Sequence, residues 1–501
     1  MTSDTGSRFW LQFVDGRSPQ ISLHTMAEVA AAISTADTAV KEEAVGACTT
    51  SKSTARPHVR FHKIASPDTS LGRSSHSLTI VKSNAYIFGG DVADGEPDNK
   101  VHIVTLPTDL ALDDVDYQAI DPTGQPLAPD SDRADGDGFQ PAMTANEAPV
   151  IPKARAAHAA TSIDSNIYIF GGRPSIRGTG QSPAPFNDNG TVYAFSTITH
   201  KWTSLPPQTA ACSAGVPCPR AYASCASSRH PLPVGGQDVT TEEAYGTIFL
   251  HGGYDVEGKL LRDVWTFDVS SREWNRWPDI PPPGPDEAAG EGRICCIESR
   301  LWRTGDGFGK VTYLEIVRDD ADDASGKSEL GVSPKTGEWN VLSFHQNPAT
   351  PDQAGAADET VAKGPTTRAE DELPIPRQGA GFVPITTGAG REYLLYFMGE
   401  ETHGRTLSDV WTLQINSDKN SPAMHKDVFR HSLGSKTGEN QWAKCEVVQS
   451  TQDNSPLLTP QGLSRFAADA WSDRGGGVAV LWGGKTVANE VVNEGWVITV
   501  E

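Results

Sequence analysis

RSSHSLTIVKSNAYIFGG, from Arg73 to Gly90, and RAAHAATSIDSNIYIFGG, from Arg155 to Gly172, are two copies of one unit. In each, an arginine, two small residues and a histidine lead into a short run of small and apolar residues. A polar turn then gives way to a β-branched and aromatic run that stops at Gly-Gly. Near-continuous apolar runs of this length read as strands covered on both faces. The glycine pair marks a place where the chain needs positive φ or close approach to a neighbour. A third copy opens at Arg220 and runs through TIFLHGG to Gly253, with RDVWTFD (Arg262 to Asp268) and REWNRW (Arg272 to Trp277) behind it. Four strands of one antiparallel blade are legible there.

Arginines open three more degenerate copies, at Arg293, Arg377 and Arg465. The copy at Arg293 reads GRICCIESRLWRTGDG, KVTYLEI and EWNVLSF, keeping Trp339 but only isolated glycines. The copy at Arg377 reads RQGAGFVPI, EYLLYFMGE, SDVWTLQ and QWAKCEVV, and the last reads RFAADAW, GVAVLWGG and EGWVITVE. That last copy is one strand short. HVRFHKI, His58 to Ile64, has the alternation to supply it, and such closure removes an edge that would otherwise invite aggregation. The expectation is an all-β, six-bladed β-propeller with the N-terminal strand 58–64 paired into the last blade. Blades are expected at 73–120, 155–205, 220–277, 291–344, 377–448 and 465–501, together forming one domain over 58–501.

The Gly-Gly after the second strand and the aromatic pair further on resemble the kelch repeat. Kelch units recur at a period of about 50 residues and build propellers; the wider spacing here implies long loops. The segments 107–150, 318–335 and 346–374 are acidic and poor in apolar residues, and read as long acidic surface loops. Residues 1–57 carry no repeat and read as a flexible extension, with a short helix over Met26 to Val45. RFWLQFVDGR is too short an apolar patch for a secretory signal, and no run approaches the roughly 18 apolar residues of a membrane span.

The chain has 501 residues, 42 Lys and Arg against 64 Asp and Glu, and a formal charge of −22. Phosphate backbones need a basic stripe, so a nucleic-acid partner is not expected. Seven cysteines, an odd number, with Cys295 and Cys296 adjacent, argue against a disulfide framework. Cys212 and Cys218 in CSAGVPC would need two further ligands to hold a metal. Reduced thiols in a cytoplasmic monomer are the expectation.

Function points to the arginines. If Arg73, Arg155, Arg220, Arg293, Arg377 and Arg465 each open a channel-lining strand, six guanidinium forks converge on one mouth and favour an anionic ligand. The plainer reading is that each one bonds carbonyls or a loop carboxylate inside the repeat. His76 and His158 are ligand candidates on the same logic and, more plainly, core histidines. Glu400 and His403, in MGEETHGRTLSDVW, put a carboxylate and an imidazole in one loop, a weak metal-ligand pattern whose plainer reading is a polar turn.

The fourth and fifth units resemble the six-bladed kelch family of plant nitrile-specifier and thiocyanate-forming proteins and their stand-alone fungal relatives. In those plant proteins a Glu, an Asp and a His in this loop hold ferrous iron, and mouth arginines hold a sulfated substrate. Glu400 matches the first ligand and His403 stands for the last, with no aspartate between them. The resemblance implies a place in fungal secondary-metabolite biosynthesis. Three classes stay open: a binding or accessory propeller taking an anionic small molecule or a partner protein, a lyase, isomerase or cyclase with or without Fe2+, and an interaction scaffold. The first is the preferred reading, and no catalytic residue or cofactor fingerprint is legible.

Overall fold

The computed structural model describes residues 57–124, 151–178, 182–208, 215–232, 244–285, 287, 290–297, 299–318, 332–342, 344, 373–388, 390–415, 438–448 and 459–501. The helix expected over Met26 to Val45, Cys212 and most of the acidic segments lie outside the described residues.

Six sheets follow one another along the chain, each with its first strand innermost. In the first blade Ser77–Val81, Asn84–Phe88, Val101–Thr105 and Tyr117–Ile120 pair antiparallel in sequence order. The second blade repeats this with Ala159–Ile163, Asn166–Phe170, Val192–Ser196 and Lys201–Leu205. The third does so with Ser224–Ser228, Thr247–His251, Val264–Asp268 and Glu273–Trp277. Blade four is built from Arg293–Ile297, Arg300–Thr304 and the long strand Val311–Arg318. Its two ends pair separately, with Asn340–Leu342 and with Val332–Pro334. Blade five comprises Gly381–Thr386, Glu392–Phe397, Val410–Ile415 and Trp442–Lys444.

The ring closes in blade six, where Ala467–Ala470, Val478–Trp482 and Gly495–Val500 receive His58–Ile64 as their outer strand. Register runs from Val59 opposite Val500 to Ile64 opposite Gly495. His58 and Glu501 exchange backbone bonds of 3.0 and 2.9 Å at the seam's end. Val59 and Ile64 are fully buried, and each contributes about 1.5–3 kcal/mol of apolar burial. Glu446–Val447 adds a parallel pairing to His58–Val59, which ties blade five to the closing strand.

Six seams between blades, rather than one central mass, make the core. Phe170 and Ala194 of blade two pack with Leu250 and Trp265 of blade three, and equivalent clusters fill the other five junctions. Tryptophans in or just before the outer strand reach back across three seams. Trp274 Nε1 donates to Gly190 O at 2.7 Å, Trp339 to Pro278 O at 2.9 Å and Trp442 to Gly309 O at 2.7 Å.

Two expected loops contain strand. Tyr117–Ile120 falls within 107–150 and Val332–Pro334 within 318–335. Leu112 and Val115, buried between the acidic residues of PTDLALDDVDYQAI, and Leu106 just before that stretch anchor the first of these. Charge density masked a short amphipathic edge. Among the described residues no helix is long and apolar enough to cross a membrane.

Candidate binding site at the channel mouth

The turn that opens five of the six blades has one conformation, set by a left-handed residue at its third position. Ser75, Ala157, Tyr222, Gly379 and Arg465 hold that place, with φ between 56° and 61°. Their backbones link around the axis: Ser75 N–H donates to Arg465 O, Ala157 to Ser75 O, Tyr222 to Ala157 O, each at 2.7 Å, and Arg465 to Gly379 O at 3.1 Å. The second glycine of each pair lies against this turn. A Cβ on Gly90 would sit 2.7 Å from His76 Cβ and 2.9 Å from Ser74 O, and φ there is +95°, so only glycine fits.

Four arginines occupy the first position of the turn, and all four are consumed inside the repeat. Arg220 Nη1 donates to Gly252 O at 3.1 Å and to Asp263 Oδ1 at 2.7 Å, while Nη2 reaches Asp263 Oδ2 at 2.8 Å. Arg73 makes the same pattern with Gly89 O and Asp98, and Arg377 with Met398 O and Asp409, while Arg155 reaches Gly171 O and Asp188 through Nη1 alone, its Nη2 buried without a hydrogen-bond partner among the described residues. These side chains are 2% exposed or less. In two blades a tryptophan completes the clamp, with Trp265 Nε1 on Asp263 and Trp411 Nε1 on Asp409, both at 2.7 Å. Although burial alone would raise Asp263 and Asp409, their arginines hold both carboxyls below the usual range. The expected ring of six equivalent, converging guanidinium groups is therefore corrected: Arg73, Arg155, Arg220 and Arg377 staple the second-to-third strand loop to its own blade.

Arg293 and Arg465 depart because the chain register differs in their blades. Leu463 takes the first position in blade six, its carbonyl accepting from Gly399 N–H as Arg155 O accepts from Gly90 N–H. Arg465 thereby moves to the third position. In blade four Glu291 lies at the second position against Gly305. Arg293 follows at the fourth, paired with Thr304, where blades one and two place His76 and His158.

The ring of backbone bonds breaks at this point. Gly379 N–H donates instead to Glu291 Oε2 at 3.2 Å, and the same carboxylate meets Arg465 Nη1 at 2.8 Å. Arg465 lies over the Tyr222 ring at 4.2 Å, and Tyr222 Oη accepts from Arg173 Nη2 at 3.1 Å. Burial would raise the Tyr222 hydroxyl, yet Arg465 and Arg173 outweigh it and lower its pKa. Arg173 is itself held by buried Asp91 at 2.6 Å. Two ion pairs, Asp91–Arg173 and Glu291–Arg465, thus meet at the Tyr222 ring.

Arg293 has no such partner. Its Nε is buried without an acceptor, and among the described residues no carboxylate pairs with it. Burial disfavours its charged form, Glu291 offsets this only in part, and Arg465 adds to the penalty. The side chain lines a channel cavity of about 160 Å³, together with Arg465, His76 and His158.

His76 and His158 are 6% and 7% exposed and sit at the channel edge of their seams. His158 Nε2 meets Ser77 Oγ at 2.9 Å and its ring packs edge-on against Phe88. Among the described residues neither nitrogen of His76 has a partner in good hydrogen-bond geometry, and the Trp482 backbone offsets only a little of the burial that disfavours its charged form. Burial, reinforced by Arg73 and Arg155, holds both imidazoles neutral, with pKa values down to about 3.

Glu400 and His403 are not brought together as ligands. Glu400 Oε2 accepts from Ser464 Oγ at 3.3 Å, Glu401 pairs with Arg405 at 2.7 Å, and His403 is exposed. Among the described residues no three His, Cys, Asp or Glu side chains cluster as a metal site, so the donor set for the iron implied by the resemblance is not assembled.

Sequence reasoning missed Glu291, Tyr222 and the clamp aspartates. The repeated Asp-Val-Trp at 263–265 and 409–411 was the available signal for the clamps. Glu291 announced itself only through GEGR, where the turn frame slips.

No protein-family model matches the chain. Human kelch domain-containing protein 3 is 26% identical over 28% of this chain and 30% of its own length. Bovine kelch domain-containing protein 2 is 29% identical over 25% and 23%, and Limulus polyphemus beta-scruin is 27% identical over 26% and 12%. The matched part spans less than a third of these relatives. A solved structure titled "Structure of YjhT" aligns at 14% identity over 87% of this chain and 99% of its own, with a TM-score of 0.45. The repeats and the six blades make the chain a six-bladed β-propeller, and its repeats are similar to those of these kelch relatives.

Proposed function

We propose that the protein is a binding or accessory propeller that holds an anionic group of a small-molecule ligand at Arg293, inside the channel mouth. The observation that carries this is the unpaired, partly buried guanidinium. A buried charge without a partner is costly unless something supplies the counter-charge. Four repeat arginines have internal carboxylates, Arg465 has Glu291, and Arg293 alone of the six is left for a ligand among the described residues. The likeness to fungal stand-alone kelch proteins sets this proposal in secondary metabolism, where the ligand would be an anionic intermediate held rather than transformed.

Titration calorimetry with sodium acetate, sulfate and phosphate tests it. The expected result is one anion per chain, lost at least tenfold in Arg293→Met and retained in Arg405→Met, whose guanidinium is exposed and paired with Glu401. Equal binding in Arg293→Met and wild type would overturn the proposal.

A further inference from the structure

We infer that the mouth selects a ligand group carrying a single negative charge, and that Glu291 is the residue that sets this selectivity. The inference rests on the anion-binding reading of Arg293 and adds the charge of what binds there.

The place of Glu291 in the repeat is the first observation. At the second position of the turn the other five blades carry Ser74, Ala156, Ala221, Gln378 and Ser464, all uncharged. Blade four alone puts a carboxylate there, and its side chain is 2% exposed. Its bond from Gly379 N–H fills the break in the backbone ring, yet the amide oxygen of a glutamine can accept that bond too. The charge is therefore surplus to the architecture, and its effect is to cancel Arg465 at 2.8 Å.

Cancellation matters because Arg293 and Arg465 line the same cavity. With Glu291 ionised and His76 and His158 neutral, the two guanidinium groups present one net positive charge. Attraction of an anion to that charge grows in proportion to the anion's own charge, whereas the cost of stripping its water grows as the square. One net charge suits a monoanion such as a carboxylate, a sulfonate or a phosphodiester. A sulfate or a phosphate monoester calls for both guanidinium groups. The Arg465 side chain is 20% exposed, so it is within reach of a ligand while the carboxylate that cancels it is not.

The test is calorimetry on the full chain at low ionic strength, with probes matched in shape and different in charge: methanesulfonate against sulfate, and dimethyl phosphate against methyl phosphate. Wild type is expected to bind each monoanion at least as tightly as its dianion. Glu291→Gln keeps an acceptor for Gly379 N–H and uncovers the charge of Arg465. By Coulomb's law across a solvent-facing cavity, methanesulfonate should then gain about threefold and sulfate about tenfold, the square of that gain. Combining Glu291→Gln with Arg465→Gln should return the ratio of the two affinities to its wild-type value. If Glu291→Gln does not fold, Arg465→Gln reads the same effect with the opposite sign, sulfate losing more than methanesulfonate. Failure of all four probes on wild type overturns the anion site of Arg293 itself. If wild type binds the dianions tighter, or Glu291→Gln moves sulfate and methanesulfonate by the same factor, the anion site stands and the selectivity inference falls.

Discussion

Blades one, two, three and five use their turn arginine in one way, and blades four and six in another. In the first group the guanidinium sits at the start of the turn, reaches outward to a glycine or methionine carbonyl and an aspartate, and is closed off from solvent. In the second group a slip of two or three positions carries it to the channel. One slipped arginine is neutralised by Glu291 and the other, Arg293, is not. The same residue type in the same repeat thus becomes a staple or a recognition element according to which turn position it fills.

The largest effect that distinguishes the two groups is expected at a staple. Arg220→Met leaves Asp263 buried beside Trp265 with its counter-charge gone, and should destabilise by about 3–5 kcal/mol in urea unfolding. Adding Asp263→Leu should recover most of that loss, because removing both partners of a buried pair is far cheaper than removing one. A cost below about 1 kcal/mol for the single change would erase the contrast between the blades.

That contrast explains how far the sequence could be read. Strand order, blade number and ring closure follow from apolar runs, Gly-Gly and the orphan strand at His58–Ile64, all local patterns. The staple was visible in outline, since Asp-Val-Trp recurs before two third strands. The site was not, because an arginine two residues later looks the same on the page. Only the turn's fixed φ and the glycine packed against it set the frame that separates Leu463 from Arg465, and Gly290 from Arg293. Glu291 could not be paired with Arg465 from sequence, since their contact crosses 174 positions.

A smaller effect concerns the position that Arg293 shares with His76 and His158. Both imidazoles titrate near about 3 in the folded chain, below the unfolded value of about 6.5. The unfolded chain therefore binds more protons below that value, so their contribution is complete above pH 6.5 and is lost as pH falls towards 3. At pH 5 each histidine should lower stability by about 2 kcal/mol relative to pH 7. His76→Leu should flatten the acid limb of a stability profile by one histidine's share. An unchanged slope would mean that His76 takes up its proton in the folded state, as a solvent-facing ligand group would.

The smallest expected effect has the opposite sign to the first. Arg293→Met keeps the length and apolar stem of the side chain and removes a charge that burial and Arg465 disfavour. Without ligand it should stabilise the chain by about 1 kcal/mol, since replacing an uncompensated buried charge with an apolar side chain of similar shape is neutral or favourable. A site maintained at the expense of stability is the signature of a functional position. Thermal unfolding of Arg293→Met beside Arg220→Met reads both signs in one experiment. If Arg293→Met falls by several kcal/mol as Arg220→Met does, Arg293 is another staple and blade four joins the rest of the ring.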